Sequence, residues 1–434
     1  MLLDVKEGAR RRQPLALHEI VENGLCIGCG LCRSIAGGNR IALVMTPEGR
    51  ERPVAARSLE PSTLERINAV CPGTRIAGPA PEGQERSALS DVVWGRAERL
   101  SIGHAGDPAV RFRGSTGGVL TALGQFLLNS GRVKFILHVG AARSAPMRSE
   151  RRLSFDASSV LEGAGSRYGP AAPLVDFCDV LDRGEPFALI GKPCDITAVR
   201  NLALIDPRVD RHMRYALTLV CGGASDLSKS EELLQHFGVQ EDELTVFRYR
   251  GHGNPGPTRI ETKDGRAFEV TYQELWEDES KWMIQPRCKI CPDAIGLSAD
   301  IAASDVWPGG SPVGEDDGFN GMIVRTKRGL ELYEAAVGAG VLVIDREEAR
   351  FEDFDIFQPH QVRKRRAVWA RLTGMAIAGK PVPMVIDLAL EACARQNALA
   401  TNLEEARGAR RRAKAGRLGE PRPVARKSAG TRGR

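Results

Sequence analysis

The segment Arg287-Cys288-Lys289-Ile290-Cys291-Pro292-Asp293 constrains this chain more than any other, because two thiols so spaced call for a common partner. Alone, a Cys-x-x-Cys pair fits a zinc ribbon, a dithiol redox site or half of an iron–sulfur site. The chain has ten cysteines in 434 residues, so the other eight decide between these readings. Residues 1–20 have no continuous apolar run after their charges, so a secretory signal is not expected. Nor does any apolar run approach the roughly 20 residues a spanning helix needs. A cytoplasmic setting is therefore expected, in which cysteines serve as thiols or metal ligands rather than as disulfides.

The first cysteine group is Cys26-Ile27-Gly28-Cys29-Gly30-Leu31-Cys32, followed later by Cys71-Pro72-Gly73. Two-residue gaps let three thiolates wrap one corner of a cubane, and glycines let backbone N–H groups approach the sulfides. Two-cluster ferredoxins continue such a run with x-x-x-Cys-Pro. Here Arg33-Ser34-Ile35-Ala36-Gly37 contains no cysteine, so the simplest reading is one [4Fe–4S] cluster with Cys71 as a remote fourth ligand. The compact triple favours iron–sulfur over zinc. A Gly/Pro-rich stretch, 77–85, reads as a hinge after this module.

Further on, strand-like Phe187–Ile190 leads into Gly191-Lys192-Pro193-Cys194-Asp195 and then a helical pattern over 196–204. Such a unit puts Cys194 in a turn at the carboxyl end of a strand, where open α/β sheets bind ligands. A second strand, Tyr215–Val220, ends on Cys221-Gly222. With Cys288 and Cys291 these make a second set of four. Cys178 and Cys393 lie in helix-like stretches and read as buried spectators.

Two glycine-rich loops stand out. Gly114-Ser115-Thr116-Gly117-Gly118 opens an apolar helix over 119–128, and its free N–H groups suit a phosphate or the polar edge of a flavin. The other is 163–170, which holds Ser166, Arg167 and Tyr168; an ordinary turn explains it equally well. His138 alternates with apolar neighbours on a strand and reads as structural. Short strands near 246–249, 259–262 and 268–271 suggest a small antiparallel unit, and 361–369 is a basic helix that closes the folded part.

The net charge of +6 is not spread evenly. Residues 406–434 carry eleven Lys/Arg and one acid, Glu420, so the remainder is slightly acidic. With almost no large apolar residue, that basic tail is expected to be disordered.

In order, Cys26-x-x-Cys29-x-x-Cys32, Gly114–Gly118, Gly191–Cys194, Cys221-Gly222 and Arg287–Asp293 with Ala299-Asp300-Ile301 resemble the coenzyme F420 hydrogenase/dehydrogenase beta-subunit family. Its relatives include 7-hydroxymethyl chlorophyll reductase and ferredoxin-dependent divinyl reductase. The resemblance covers about Leu25 to Leu372 and implies an iron–sulfur flavoprotein oxidoreductase of mixed α/β fold. It implies a ferredoxin-like N-terminal iron–sulfur module (1–76) and a flavin and iron–sulfur catalytic domain (86–400) with short antiparallel strands inserted, to which composition adds the basic disordered tail (401–434). It further implies FAD lined by Gly114, Ser115, Thr116, Gly117, Gly118, Ser166, Arg167 and Tyr168, with Lys192 and Pro193 beside it. One [4Fe–4S] cluster would sit on Cys26, Cys29, Cys32 and Cys71, and another on Cys194, Cys221, Cys288 and Cys291. Lys192 or Arg167 would then stabilise negative charge on the reduced flavin.

Electrons would come from ferredoxin or a partner subunit and reach a substrate that the motifs do not identify. No Ser/His/Asp or paired-carboxylate constellation stands out, so the chemistry belongs to the cofactors. Two other readings stay open: an electron-transfer subunit with no substrate of its own, and a zinc-structured binding protein using its basic tail on nucleic acid, a partner less expected than a redox protein.

Overall fold

The computed structural model describes residues 13–79, 89–276 and 283–424. Its centre is an eight-stranded mixed sheet in the order Leu342–Arg346, Arg99–Ala105, Asn320–Val324, Ile301–Asp305, Met213–Leu219, Phe187–Gly191, Phe135–Ala141 and Ser149–Ser154. The neighbours from Ile301–Asp305 through Phe135–Ala141 run parallel, and antiparallel strands flank them on both sides. The expected mixed α/β fold is therefore what the chain adopts.

Alternation along the strands assigns the two faces. Phe135, Leu137, Phe187 and Leu189 pack with the helix Pro193–Ala203 and with Ile27, Leu31 and Val70 of the N-terminal unit. Their neighbours Ile136, Ala188, Leu217 and Met322 pack on the other face, against the helices Val119–Asn129 and Lys327–Gly338. The expected short strands form a separate three-stranded sheet of Leu244–Arg248, Thr258–Thr262 and Ala267–Val270.

The N-terminal unit comprises short helices, a hairpin of Ile41–Met45 with Glu51–Ala55, the helix Pro61–Val70 and the strand Arg75–Ala77. That last strand pairs in parallel with Met384–Ile386, so the C-terminal part of the chain completes it. Leu17, Ile41, Ile67 and Ile76 share one core with Trp94, Phe354, Met375, Ala409 and Leu418. Most of the hinge expected over 77–85 lies outside the described residues.

Three expectations need correction. Cys194 is in the first turn of the helix Pro193–Ala203, because Pro193 with its fixed φ begins that helix with only Lys192 between it and the strand's end. The helix-like stretch around Cys178 is helical only over Phe177–Asp182. Part of the tail expected to be disordered is ordered: Leu399–Lys414 is a helix packed against the long helix Pro359–Ile377, and the described chain continues to residue 424. Composition misleads there because the helix needs no large side chains to dock. Ala409 and Ala413 are buried, and Gly374 on the facing helix lets the backbones approach so closely that a Cβ would stand 2.1 Å from the Ala406 carbonyl oxygen. The last ten residues lie outside the described part of the chain. Among the described residues, no helix is long and apolar enough to cross a membrane.

Gly374→Val is expected to push these helices apart at a cost of about 1–3 kcal/mol, as for other overpacked sites. Thermal unfolding should show the loss, and limited proteolysis should show the C-terminal helix released before the rest of the chain.

Candidate functional site

The two parallel strands Phe187–Gly191 and Met213–Leu219 lie side by side, with Leu217 opposite Ile190 and Thr218 opposite Gly191. Both therefore end at the same sheet edge, one delivering Cys194 and the other Cys221. The turn Pro286–Ile290 and the residues after it bring Cys288 and Cys291 to the same place. All four cysteines line one cavity, together with Lys192, Pro193 and Lys364. The second set expected from sequence is thus assembled at a common site.

Ile27, from the loop of the first set, lines that cavity too, so the two sets are neighbours. Within the first set, Cys26 and Cys29 are buried and Cys32 and Cys71 partly buried. Burial pushes the Cys26 thiol up to about 11, Arg52 pulls it down, and Cys71 pushes it up again. Burial likewise raises Cys29, Cys32 and Cys71, with Cys71 adding to the rise at Cys29 and Cys32. In the second set burial raises Cys221 to about 12 and lifts Cys194 and Cys291. Thiols in such surroundings become thiolates only against a strong positive charge, which a metal core supplies.

Backbone donors already face the sulfurs. Gly28 N–H donates to Cys26 Sγ (3.3 Å), Gly73 N–H to Cys71 Sγ (3.4 Å) and Ala224 N–H to Cys288 Sγ (3.4 Å). Such bonds stabilise thiolate ligands of iron–sulfur clusters and tune their potentials. Among the described residues, no three or more Cys, His, Asp or Glu side chains gather tightly enough for a single metal ion. Four thiols, inward N–H donors and nearby cations fit a multi-iron core.

The cations are specific. Lys192 Nζ is 2.8 Å from Asp195 Oδ2; burial opposes its charge, but Asp195 with Cys194 and Cys221 outweighs that and holds its pKa above the ordinary range. Asp195 is fully buried, and its Oδ1 has no hydrogen-bond partner. After burial, its charge is the largest upward influence on Cys194, and it raises Cys29 as well. Lys364 Nζ donates to the Gly222 carbonyl (3.0 Å) and Gln361 Nε2 to the Cys221 carbonyl (2.8 Å), so the basic helix braces the cavity. Arg287 is buried, donates to the Pro72 carbonyl (2.9 Å), and lowers both Cys71 and Cys291.

The glycine-rich loops converge elsewhere. Ser166 Oγ donates to Ser115 Oγ (2.9 Å), joining the two loops, and Thr116 Oγ1 donates to the Phe319 carbonyl (2.6 Å). Gly117 packs against Asn320, whose Oδ1 accepts from Val119 N–H at the helix start. Gly114 and Gly118 flank that turn. Buried Arg250 lies beneath, donating to the Ser115 carbonyl and pairing with Asp305 (3.2 Å), its guanidinium over Trp307 and Tyr272. It also reaches the Tyr168 hydroxyl (3.4 Å). The Tyr168 carbonyl accepts from Ser225 N–H (3.0 Å), next to Ala224 at the cysteine cavity. The two regions are therefore linked through the backbone.

Arg167 departs from its expected role. Its guanidinium donates to the carbonyls of Pro146, Met147, Arg148 and Phe247 and to Ser149 Oγ, so its donors are consumed in tying loops together. Cys178 and Cys393 stand apart from both sets; Cys393 is buried against the Val92 carbonyl, but Cys178 is only partly buried. His138 is structural: its Nε2 lies 2.7 Å from Ser154 Oγ, and burial lowers its pKa to about 4. Asp300 is structural also, accepting from Ala216 N–H and Thr326 Oγ1.

Sequence reading missed Arg52, Asp195, Arg250, Gln361 and Lys364. Asp195 adjoins Cys194 and was visible as its neighbour, and the run 363–366 signalled cations without saying what they face. Nothing in the local sequence marks Arg52 or Arg250.

Two family models match the chain, both of the coenzyme F420 hydrogenase/dehydrogenase beta subunit: that of its N-terminal part over residues 101–178 and that of its C-terminal part over 184–350. An uncharacterized protein of Methanocaldococcus jannaschii is 23% identical over 76% of this chain and 91% of its own length. The coenzyme F420-dependent sulfite reductase of the same organism is 23% identical over 80% of this chain and 52% of its own length. The F420-dependent formate dehydrogenase 1 subunit beta of Methanococcus maripaludis is 28% identical over 54% of this chain and 57% of its own length. The chain thus spans about half the length of these last two. A chain of the F420-reducing [NiFe] hydrogenase complex of Methanosarcina barkeri aligns with a TM-score of 0.48 at 20% identity, covering 64% of this chain and 95% of that one.

Arg167→Met is expected to cost about 3 kcal/mol or more of stability, since it strands several carbonyls. Chemical denaturation should register that loss.

Proposed function

Because the chain belongs to the coenzyme F420 hydrogenase/dehydrogenase beta-subunit family, we propose that it is an iron–sulfur flavoprotein oxidoreductase moving electrons between a redox partner and a small molecule. The observation that carries this reading is the convergence of Cys194, Cys221, Cys288 and Cys291 on one cavity, with Ile27 of the other cysteine loop in its wall. In this reading those four hold one [4Fe–4S] cluster, and Cys26, Cys29, Cys32 and Cys71 hold another. FAD binds where the 114–118 and 166–168 loops meet. When bound, these groups supply one-electron exchange and its conversion to two-electron chemistry.

The chain's own residues position and screen. Asp195 holds Lys192 beside the second thiol set, and Gln361 and Lys364 fix the backbone at Cys221 and Gly222. Arg250 is kept charged by Asp305 against the cost of burial, giving the loop region a fixed cation. The names of the curated relatives make coenzyme F420 the first substrate to test and a partner subunit a first redox partner, with ferredoxin the donor expected from the sequence motifs.

A second reading is favoured by relatives that are named as subunits: a relay with no substrate of its own. Anaerobically purified protein mixed with reduced ferredoxin and F420 separates the two. Reoxidation of the donor by this chain alone supports the enzyme, and turnover only after a further subunit is added supports the relay.

Iron analysis tests the ligand sets. Cys291→Ala should lose about half the iron and Cys178→Ala none. A colourless protein holding only zinc would overturn the proposal, and equal losses from both variants would overturn the ligand assignment.

A further inference from the structure

The seam between the two cysteine sets holds a fully buried arginine. Arg52, on the hairpin strand Glu51–Ala55, has no solvent exposure. Its Nε donates to Glu420 Oε2 (2.8 Å) and its Nη2 to Glu420 Oε1 (2.9 Å), a two-pronged pair between residues 368 apart in the chain. Nη2 also donates to Gln285 Oε1 (3.0 Å), and Nη1 to the Glu51 carbonyl (2.9 Å). Gln285 lines the cavity of the second set. On the other side, Arg52 lies against the first set's loop: a Cβ on Gly28 would stand 3.2 Å from Nη1.

Glu420 reaches this seam because the chain before it crosses between the sets. A Cβ on Gly24 would be 2.0 Å from the Leu418 carbonyl oxygen and 2.8 Å from Pro286 Cβ, while Glu420 N–H donates to the Glu22 carbonyl (3.0 Å). Arg50 stands beside the pair, 3.5 Å from Glu420 and 3.3 Å from Asp226. The seam thus contains two arginines and two carboxylates, and losing one charge leaves it unbalanced.

We propose that Arg52 and Glu420 are positioning residues that set the reduction potentials of the groups held on either side of them, Arg52 raising and Glu420 lowering the potential, most strongly on the Cys26 side. This rests on the cluster reading above. Adding one electron is favoured by a nearby cation and opposed by a nearby anion, and a water-excluded seam screens neither well.

The test is a redox titration of the full-length, cluster-loaded chain, followed by electron paramagnetic resonance, comparing wild type with Glu420→Gln, Arg52→Gln and the double variant. Glu420→Gln keeps the shape and removes the charge; it should favour reduction of the N-terminal cluster about tenfold, a rise of about 59 mV for one electron. Arg52→Gln should shift it about as far the other way, and the double variant should return close to wild type. The second cluster should move less. If Arg52→Gln fails to hold iron, the near-isosteric Glu420→Gln still decides. Two clusters with unchanged potentials in Glu420→Gln, or shifts of the same sign in both single variants, would overturn the proposal and leave the cluster reading standing. Wild-type protein without iron would overturn the cluster reading itself.

Discussion

The parallel hydrogen bonding of Phe187–Gly191 to Met213–Leu219 is the constraint on which the rest of the site depends. Pairing in that register places the two strand ends together, so Cys194 and Cys221 arrive at one edge before any metal is considered. The face of these strands that buries Phe187 and Leu189 also buries Ile27, Leu31 and Val70. The apolar pattern that makes the strands therefore docks the other cysteine loop as well. Packing and the placement of the cysteines are one arrangement here.

The loops around the site have little regular structure, and buried arginines supply the hydrogen bonds that a sheet or helix would otherwise provide. Arg365 donates to the carbonyls of Val93, Pro292 and Leu388, and Arg325 to those of Trp94, Arg96 and Ile295. Burial lowers Arg325 to about 10, so it remains a cation near neutrality. A guanidinium has five donors in a rigid planar fork, so it fixes the positions of several carbonyls at once, whereas a lysine's three donors sit on a freely rotating ammonium. These residues account for much of the rigidity on which the cavity's shape relies.

Much of this was legible in the residues. Cysteine spacing separated the two sets, and the step from strand to turn to helix located Cys194 to within one residue. The Gly114 and Ser166 loops were readable as a pair, and the structure joins them through their serines. What escaped was whatever depends on a long-range partner. Arg167 beside Tyr168 looks the same in sequence whether it faces a ligand or four carbonyls. The C-terminal helix resembles a charged tail because its buried face is made of Ala409 and Ala413, and its fit depends on Gly374 in a distant helix. Composition weighs side-chain size and misses close backbone packing.

The route of the C-terminal segment bears on how the protein is assembled. Arg52 and its carboxylate partner are 368 residues apart, so the seam beside the first cysteine loop closes only after nearly the whole intervening chain has been made and folded. Closing so long a loop has an entropic cost and is slow compared with forming local contacts. During synthesis the loop of Cys26 and Cys29 therefore stays open on that side until the segment carrying Glu420 arrives, and that segment then closes it like a stopper.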